Sequence, residues 1–235
     1  MTKVKWICAI IAAVSLLFVI QYQFVDKNSW KSWNLPLSGR IIILDPGHGG
    51  VDGGAIGGKT LEKDITLTIT LLLRDYLQEQ GALVLLTREG DYDLAEEETK
   101  GYSRRKVEDL KKRLQMINES DADLYLSLHL NAIPSPNWRG AQTFYHGSFE
   151  ENKRVSKFIQ DELRKNLSNT SREAKAIQSL YLLKNAKVPG ALVEVGFLSN
   201  PSERELLEKK KYQRQIAESI YKGVNRYFTD EQSIN

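Results

Sequence analysis

The chain has 235 residues, 41% hydrophobic and 27% charged, with a formal net charge of +3. That length and balance suit one globular domain with a real core and exclude a disordered chain. Charges of mixed sign and so small an excess give no argument for a nucleic-acid partner.

The first segment departs from the rest. Lys3 and Lys5 precede WICAIIAAVSLLFVI at residues 6–20, which carries no charge and has Ser15 as its polar member. Cleaved signal and retained anchor are the two readings of such a segment. Gln21, Tyr22, Gln23, Phe24 and Val25 follow in place of a small-x-small cleavage pattern. The run to Val25 is about 20 residues, long enough to cross a bilayer as a helix, and this favours the anchor. Basic residues ahead of it place the globular part outside the cytoplasm. A buried helix of a soluble protein is disfavoured, because a terminal helix apolar all round needs cover on every face. Cys8, the one cysteine, lies in this segment, so the exported domain holds itself by packing or a bound ion, not by a disulfide.

Residues 26–38, DKNSWKSWNLPLS, read as a polar linker. Trp30 and Trp33 suit a membrane interface, a sugar surface or a cap on the domain, and the linker position favours the first. RIIIL at 40–44 is a buried strand, followed by a glycine-rich loop. A helix is predicted over 61–80, closed by Gly81, and a strand over 82–86. A polar loop at 89–104 carries Glu96, Glu97 and Glu98, which reads as a solvated turn ahead of a calcium site. A helix from about Arg105 to Glu119 leads to a strand at 123–130, a strand at 140–145 and a surface helix at 150–167. The short apolar runs at 180–183 and 191–195 read as strands, and 202–207 and 212–227 as helices.

Alternating elements with strands apolar on both faces predict an α/β fold: a single domain with a mostly parallel, roughly six-stranded sheet covered by helices on both faces. An N-terminal membrane-anchor or signal helix precedes it. The predicted division is 1–25 signal or anchor, 26–38 linker, 39–230 catalytic domain and 231–235 tail. Ligands of such sheets bind beyond the carboxyl ends of the strands. Asp45, His48, His129, Asn131 and Glu194 all fall at such ends.

The loop after the first strand has two incompatible readings. GGAIGGKT at 53–60 fits the phosphate-loop pattern G-x-x-x-x-G-K-[ST]. A phosphate loop runs straight from strand to helix, however, and here eight residues intervene between Leu44 and Gly53. No later apolar run ending in Asp supplies a magnesium partner, and export removes the domain from ATP, so no nucleotide is expected. In the other reading His48 and His129, two of the three histidines, and Glu62 at the start of the following helix supply three ligands, as a catalytic zinc site needs. Glu194 then has the place of a general base. The plainer alternatives are capping or hydrogen-bonded histidines and a glutamate favoured at a helix N-terminus. His146, in FYHGS, is a further candidate ligand or substrate contact.

LDPGHGGVDGGAIG, LEKDITL, SLHLNA and LVEVGFLSNPSE, in this order across residues 41–228, resemble the zinc-dependent N-acetylmuramoyl-L-alanine amidases. The resemblance implies one zinc per chain on His48, Glu62 and His129, with Glu194 as catalytic glutamate. The short anchor and linker, with no separate wall-binding domain, resemble the germination-specific members found in spore-forming bacteria. By that resemblance the substrate is peptidoglycan of the spore cortex, and a muramic acid deacetylase acts on the product to form muramic lactam. Asn131, Trp138 and Arg139 are then candidates for substrate contact, and Asp45 for orienting a ligand histidine. Arg88 and Arg113 fall at familiar family positions and read equally well as structural ion pairs. Two alternatives of other classes remain: a wall-binding protein that has kept the fold, and a zinc peptidase or deacetylase.

Overall fold

The computed structural model describes residues 35–229 and helical positions 3, 5, 6, 10, 11 and 13–16 near the N-terminus. The helical positions belong to a compact unit, Met1–Leu35, distinct from the unit Pro36–Asn235. Among the described residues no helix is long and apolar enough to cross a membrane. Most of the expected anchor, Cys8, the linker tryptophans Trp30 and Trp33 and residues 231–235 lie outside the described residues.

In chain order the elements of the second unit are β1 (Ile41–Pro46), β2 (Ile56–Gly57), β3 (Thr60–Leu61), α1 (Glu62–Glu79), β4 (Leu83–Leu86), α2 (Tyr102–Glu119), β5 (Leu124–Asn131), β6 (Gln142–Tyr145), α3 (Glu150–Leu167), β7 (Lys175–Ala176), α4 (Tyr181–Asn185), β8 (Gly190–Phe197), α5 (Pro201–Leu207) and α6 (Lys210–Phe228). Six strands form one sheet in the order β4-β1-β5-β8-β6-β7. Every neighbouring pair is parallel except β6 with β8. The predicted class and strand number therefore hold.

Successive side chains of a strand point to opposite faces, and the core divides accordingly. Ile42 and Leu44 of β1, Leu126 and Leu128 of β5 and Val193 of β8 pack against Ile69 and Leu73 of α1, Phe158 of α3 and Ile220 of α6. On the other face Ile43, Tyr125 and Leu192 meet Ile117 of α2 and Leu182 and Leu183 of α4. The apolar runs with no polar alternation in β1, β5 and β8 follow from this cover on both sides.

Three elements differ from expectation. Leu180–Leu183 was expected as a strand, but Tyr181–Asn185 is a short helix. Consecutive Leu182 and Leu183 enter the same core cluster, which a helix allows and a strand's alternation forbids. The sixth strand is instead the exposed pair Lys175–Ala176. The second helix also begins at Tyr102, earlier than Arg105, which carries Tyr102 and Lys106 onto its first turns.

A buried charge network braces the carboxyl end of β1. Arg113 of α2 donates to Asp45 Oδ1 at 2.7 Å, to Asp109 Oδ2 at 2.8 Å and to the carbonyls of Pro46 and His48 at 2.8 and 2.6 Å. Arg88 donates to the carbonyls of Pro46, Gly47, Gly90 and Lys63 at 2.9–3.0 Å. Both arginines are almost fully buried; Arg113 forms structural ion pairs with Asp45 and Asp109, whereas Arg88 holds backbone carbonyls. They fix the path of the loop that carries His48.

Candidate metal centre

Beyond β1 the chain turns on Gly49 and Asp52, which exchange backbone hydrogen bonds at 2.9 and 3.1 Å. His48 sits at the head of this turn with φ 63°, a region non-glycine residues seldom occupy, and such backbone is held only where its surroundings require it. The turn returns Asp52 Oδ2 to within 2.9 Å of His48 Nδ1. The other imidazole nitrogen, Nε2, lies 3.2 Å from Glu62 Oε2.

Glu62 opens α1 and is buried under the loop. Its Oε1 accepts from the Leu130 backbone N–H and meets His129 Nδ1, both at 2.9 Å, and its Oε2 accepts from the Ala55 N–H at 2.7 Å. His129 projects from β5, and its ring stands edge-on to that of His48, with centroids 5.1 Å apart. One ligand atom from each of His48, Glu62 and His129 falls within 4.8 Å of the others, the separation a shared ion requires. Two glycines make this closeness possible. A Cβ on Gly47 would stand 2.4 Å from the His129 ring, and one on Gly54, where φ is +69°, would stand 2.6 Å from Glu62 Oε2.

Glu194 of β8 pairs in register with His129 of β5. Paired residues of neighbouring strands face the same side, so the carboxylate stands beside the imidazole. Its Oε2 is buried without a hydrogen-bond partner. Burial pushes the carboxyl up to about 7; the His129 and His48 imidazoles pull it down and Glu62 adds to the rise. Burial opposes a charge on His48, yet its hydrogen bonds to the Asp52 and Glu62 carboxylates outweigh it and lift the imidazole to about 9. Glu62 is held well below the usual carboxylate range, its burial overcome by the two histidines. Two imidazoles, one carboxylate and this surplus of negative charge suit a cation between the donors.

Residues 42–226 match the family of N-acetylmuramoyl-L-alanine amidases. The chain belongs to that family. It is 62% identical over 229 residues to the germination-specific N-acetylmuramoyl-L-alanine amidase of Bacillus subtilis (strain 168), covering 97% of each chain. It is also similar to the CwlD amidase from Clostridioides difficile, solved in complex with the GerS lipoprotein, with TM-score 0.79, 44% identity, and coverage of 81% of this chain and 98% of that one. An N-acetylmuramoyl-L-alanine amidase from Clostridium difficile 630 matches at TM-score 0.72 and 29% identity, over 82% and 98% of the two chains.

Within this amidase the other predicted residues fall into three groups. Asp45, expected to orient a ligand histidine, has no such contact: Thr87, Ser127 and Arg113 saturate it. Asp52, which sequence reasoning passed over, is the carboxylate on His48; its spacing of four residues was the available signal. Trp138 and Arg139 lie in the loop before β6, which runs antiparallel to β8 from Gln142 opposite Glu194, so that loop enters at the site's end of the sheet. Arg172 stacks over the Trp138 ring and donates to the Arg139 carbonyl at 2.5 Å, while the Asn131 carbonyl accepts from Leu198 at 2.9 Å. Among the described residues no hydrogen bond joins Asn131, Trp138 or Arg139 to the His48–Glu62–His129 cluster. His146 follows the far end of β6, away from that cluster.

The phosphate-loop pattern is otherwise engaged. Residues 56–61 form the β2–β3 hairpin, and the N–H groups of Gly54 and Ala55 donate to Asp52 and Glu62. Glu96 is paired with Lys112 on the surface, as a solvated turn would be.

Proposed function

We propose that His48, Glu62 and His129 hold one zinc ion and that Glu194 serves as general base and acid in hydrolysing the amide between N-acetylmuramic acid and L-alanine of peptidoglycan. The observation that carries this reading is the convergence of three donor atoms within 4.8 Å beside the buried, unpartnered Oε2 of Glu194. Bound there, zinc supplies Lewis-acid chemistry, polarising a carbonyl and acidifying water. Glu194, with its carboxyl near 7, takes the proton of the attacking water and returns it to the departing alanine nitrogen. The C–N bond breaks as the new C–O bond forms, leaving a lactyl carboxylate on the sugar and a free amino group on L-alanine. Asn131, Trp138 and Arg139 are the residues proposed to meet the glycan and peptide at the cleft rim.

Likeness to the germination-specific relative supports cortex peptidoglycan as substrate, with a muramic acid deacetylase consuming the product. The basic, apolar start of the chain supports export, with residues 1–25 as signal or anchor, 26–38 as linker and 39–230 as catalytic domain, held on the outer membrane face or released into the spore envelope.

The test is chemical. Full-length chain loaded with zinc and given peptidoglycan should release new L-alanine amino groups, whereas acetate in their place would identify a deacetylase. Zinc content near one per chain, strongly reduced by His129→Ala, checks the ligands. Absence of zinc from the folded wild type would overturn them.

A further inference from the structure

Asp52 has no part in the reaction as derived above, yet its carboxylate is as heavily engaged as that of Glu62. The side chain is buried and each oxygen meets two donors. Oδ2 meets His48 Nδ1 and Lys106 Nζ, both at 2.9 Å. Oδ1 accepts from the Gly54 N–H at 3.0 Å and the Tyr102 hydroxyl at 2.8 Å. A neutral imidazole that donates from Nδ1 presents its lone pair at Nε2, and His48 Nε2 is the atom turned toward Glu62.

We propose that Asp52 is the positioning residue that fixes the tautomer and ring orientation of His48, and that Tyr102 and Lys106 of α2 set how firmly it does so. The inference rests on His48 being a zinc ligand. Asp45 is excluded from the role, because its oxygens are already taken by Thr87, Ser127 and Arg113. Tyr102 and Gly54 hold Oδ1 and so stop the carboxylate from rotating about its own axis. Lys106 acts differently. It shares Oδ2 with His48 and therefore competes for the oxygen that orients the ring, and it places a cation near the donors. The sequence of Asp52, Tyr102 and Lys106 thus ties two turns of α2 to a loop ligand some fifty positions earlier, a separation of 50 residues for the Tyr102 bond.

The measurement is the zinc dissociation constant of the full-length chain by competition with a chelator, paired with melting of the zinc-free forms. Partners that orient ligand histidines typically contribute 10–100-fold to metal affinity, so Asp52→Asn should weaken zinc binding by roughly that factor. Tyr102→Phe removes one hydrogen bond from a neutral hydroxyl to the carboxylate and should weaken it about two- to tenfold. Lys106→Met, which removes a competitor and a cation, should tighten it. Zinc-free melting close to wild type in all three separates positioning from a purely structural role. Wild-type affinity in a folded Asp52→Asn chain overturns the proposal; should that variant fail to fold, wild-type affinity in Tyr102→Phe does so. A His48→Ala chain that binds zinc as wild type would overturn the ligand reading instead, which keeps the two failures apart.

Discussion

Asp45 and Glu194 are carboxylates in the carboxyl halves of their strands, on the face that α2 and α4 cover, Asp45 fully buried and Glu194 with one oxygen buried. Asp45 pairs in register with Ser127, which pairs with Leu192, and Glu194 lies two residues beyond Leu192 on the same face. Their surroundings are opposite. Asp45 accepts from Arg113 and Thr87 at 2.7 Å and from Ser127 at 2.6 Å. Burial alone would raise its carboxyl, but the Arg113 guanidinium and the two hydroxyls outweigh it and hold it at about 2. Glu194 has an oxygen with no donor and rises to about 7. A saturated carboxylate stays ionised and braces the loop, while an unsatisfied one exchanges its proton near neutrality. Position toward a strand end is common to both, so partners decide which is held ionised and which is free to exchange a proton, as the role proposed for Glu194 requires.

The largest expected effect tests the reactive half of this contrast. Glu194→Gln keeps the shape of the side chain but cannot take a proton, and general-base catalysis is worth roughly 10²–10⁴ in rate. Release of L-alanine amino groups should fall by that order while zinc content and urea stability stay at wild type. Loss of stability would mean that Glu194 has structural partners after all, and full activity would remove it from the mechanism.

The structural half predicts the reverse pattern. Arg113→Met leaves Asp45 without its cation in a buried setting, and breaking such a pair costs about 3–5 kcal/mol. Urea unfolding should show that loss. Arg113 also donates to the Pro46 and His48 carbonyls, so the loop carrying His48 should loosen with it. A change below about 1 kcal/mol would show that the network is dispensable.

This division also marks how far the sequence was legible. Apolar runs such as RIIIL, DLYLSLHL and ALVEV read as strands covered on both faces, and the last two put His129 and Glu194 on neighbouring strands toward their carboxyl ends. Those features carried the fold class and the metal cluster. Short apolar runs carry no period, so LYLL at 180–183 could not be told from a strand until its two leucines met one core cluster. Lys175–Ala176 is exposed and only two residues long, giving no strand signal at all. Asp45 and Asp52 flank the same histidine in sequence, and only the turn between Gly49 and Asp52 decides which carboxylate reaches it. The four-residue spacing from His48 hints at that closure but does not by itself favour Asp52 over Asp45.

Acid titration sharpens the same contrast at smaller scale. The Asp45 carboxyl lies at about 2 in the folded chain against 3.8 as its ordinary value. A pKa lowered by folding stabilises above the unfolded value, so this contribution is whole above pH 3.8 and is lost as pH falls toward 2. The difference corresponds to roughly 2 kcal/mol. Urea midpoints between pH 5 and pH 2 should fall less steeply in Asp45→Asn than in wild type, from a lower starting stability. Equal slopes would mean that Arg113 and the hydroxyls do not hold the proton off.

The smallest effect is expected at His146, the third histidine of a chain whose other two form the cluster. Because β6 runs antiparallel to β8, with Gln142 opposite Glu194 and Phe144 opposite Leu192, the chain leaves β6 toward the start of β8. Asn152 confirms the location: its amide donates to the His146 carbonyl at 2.9 Å and its carbonyl oxygen accepts from the Gly190 N–H at 2.8 Å. Gly190 opens β8, and Glu194 stands near the other end. His146→Ala should therefore leave zinc content unchanged and amidase activity within about twofold, since only groups that meet the reacting atoms or position them alter the rate strongly. A tenfold loss of rate with zinc retained would show that substrate reaches the opposite end of the sheet, and the assignment of the cleft to the His129–Glu194 end would have to be widened to include it.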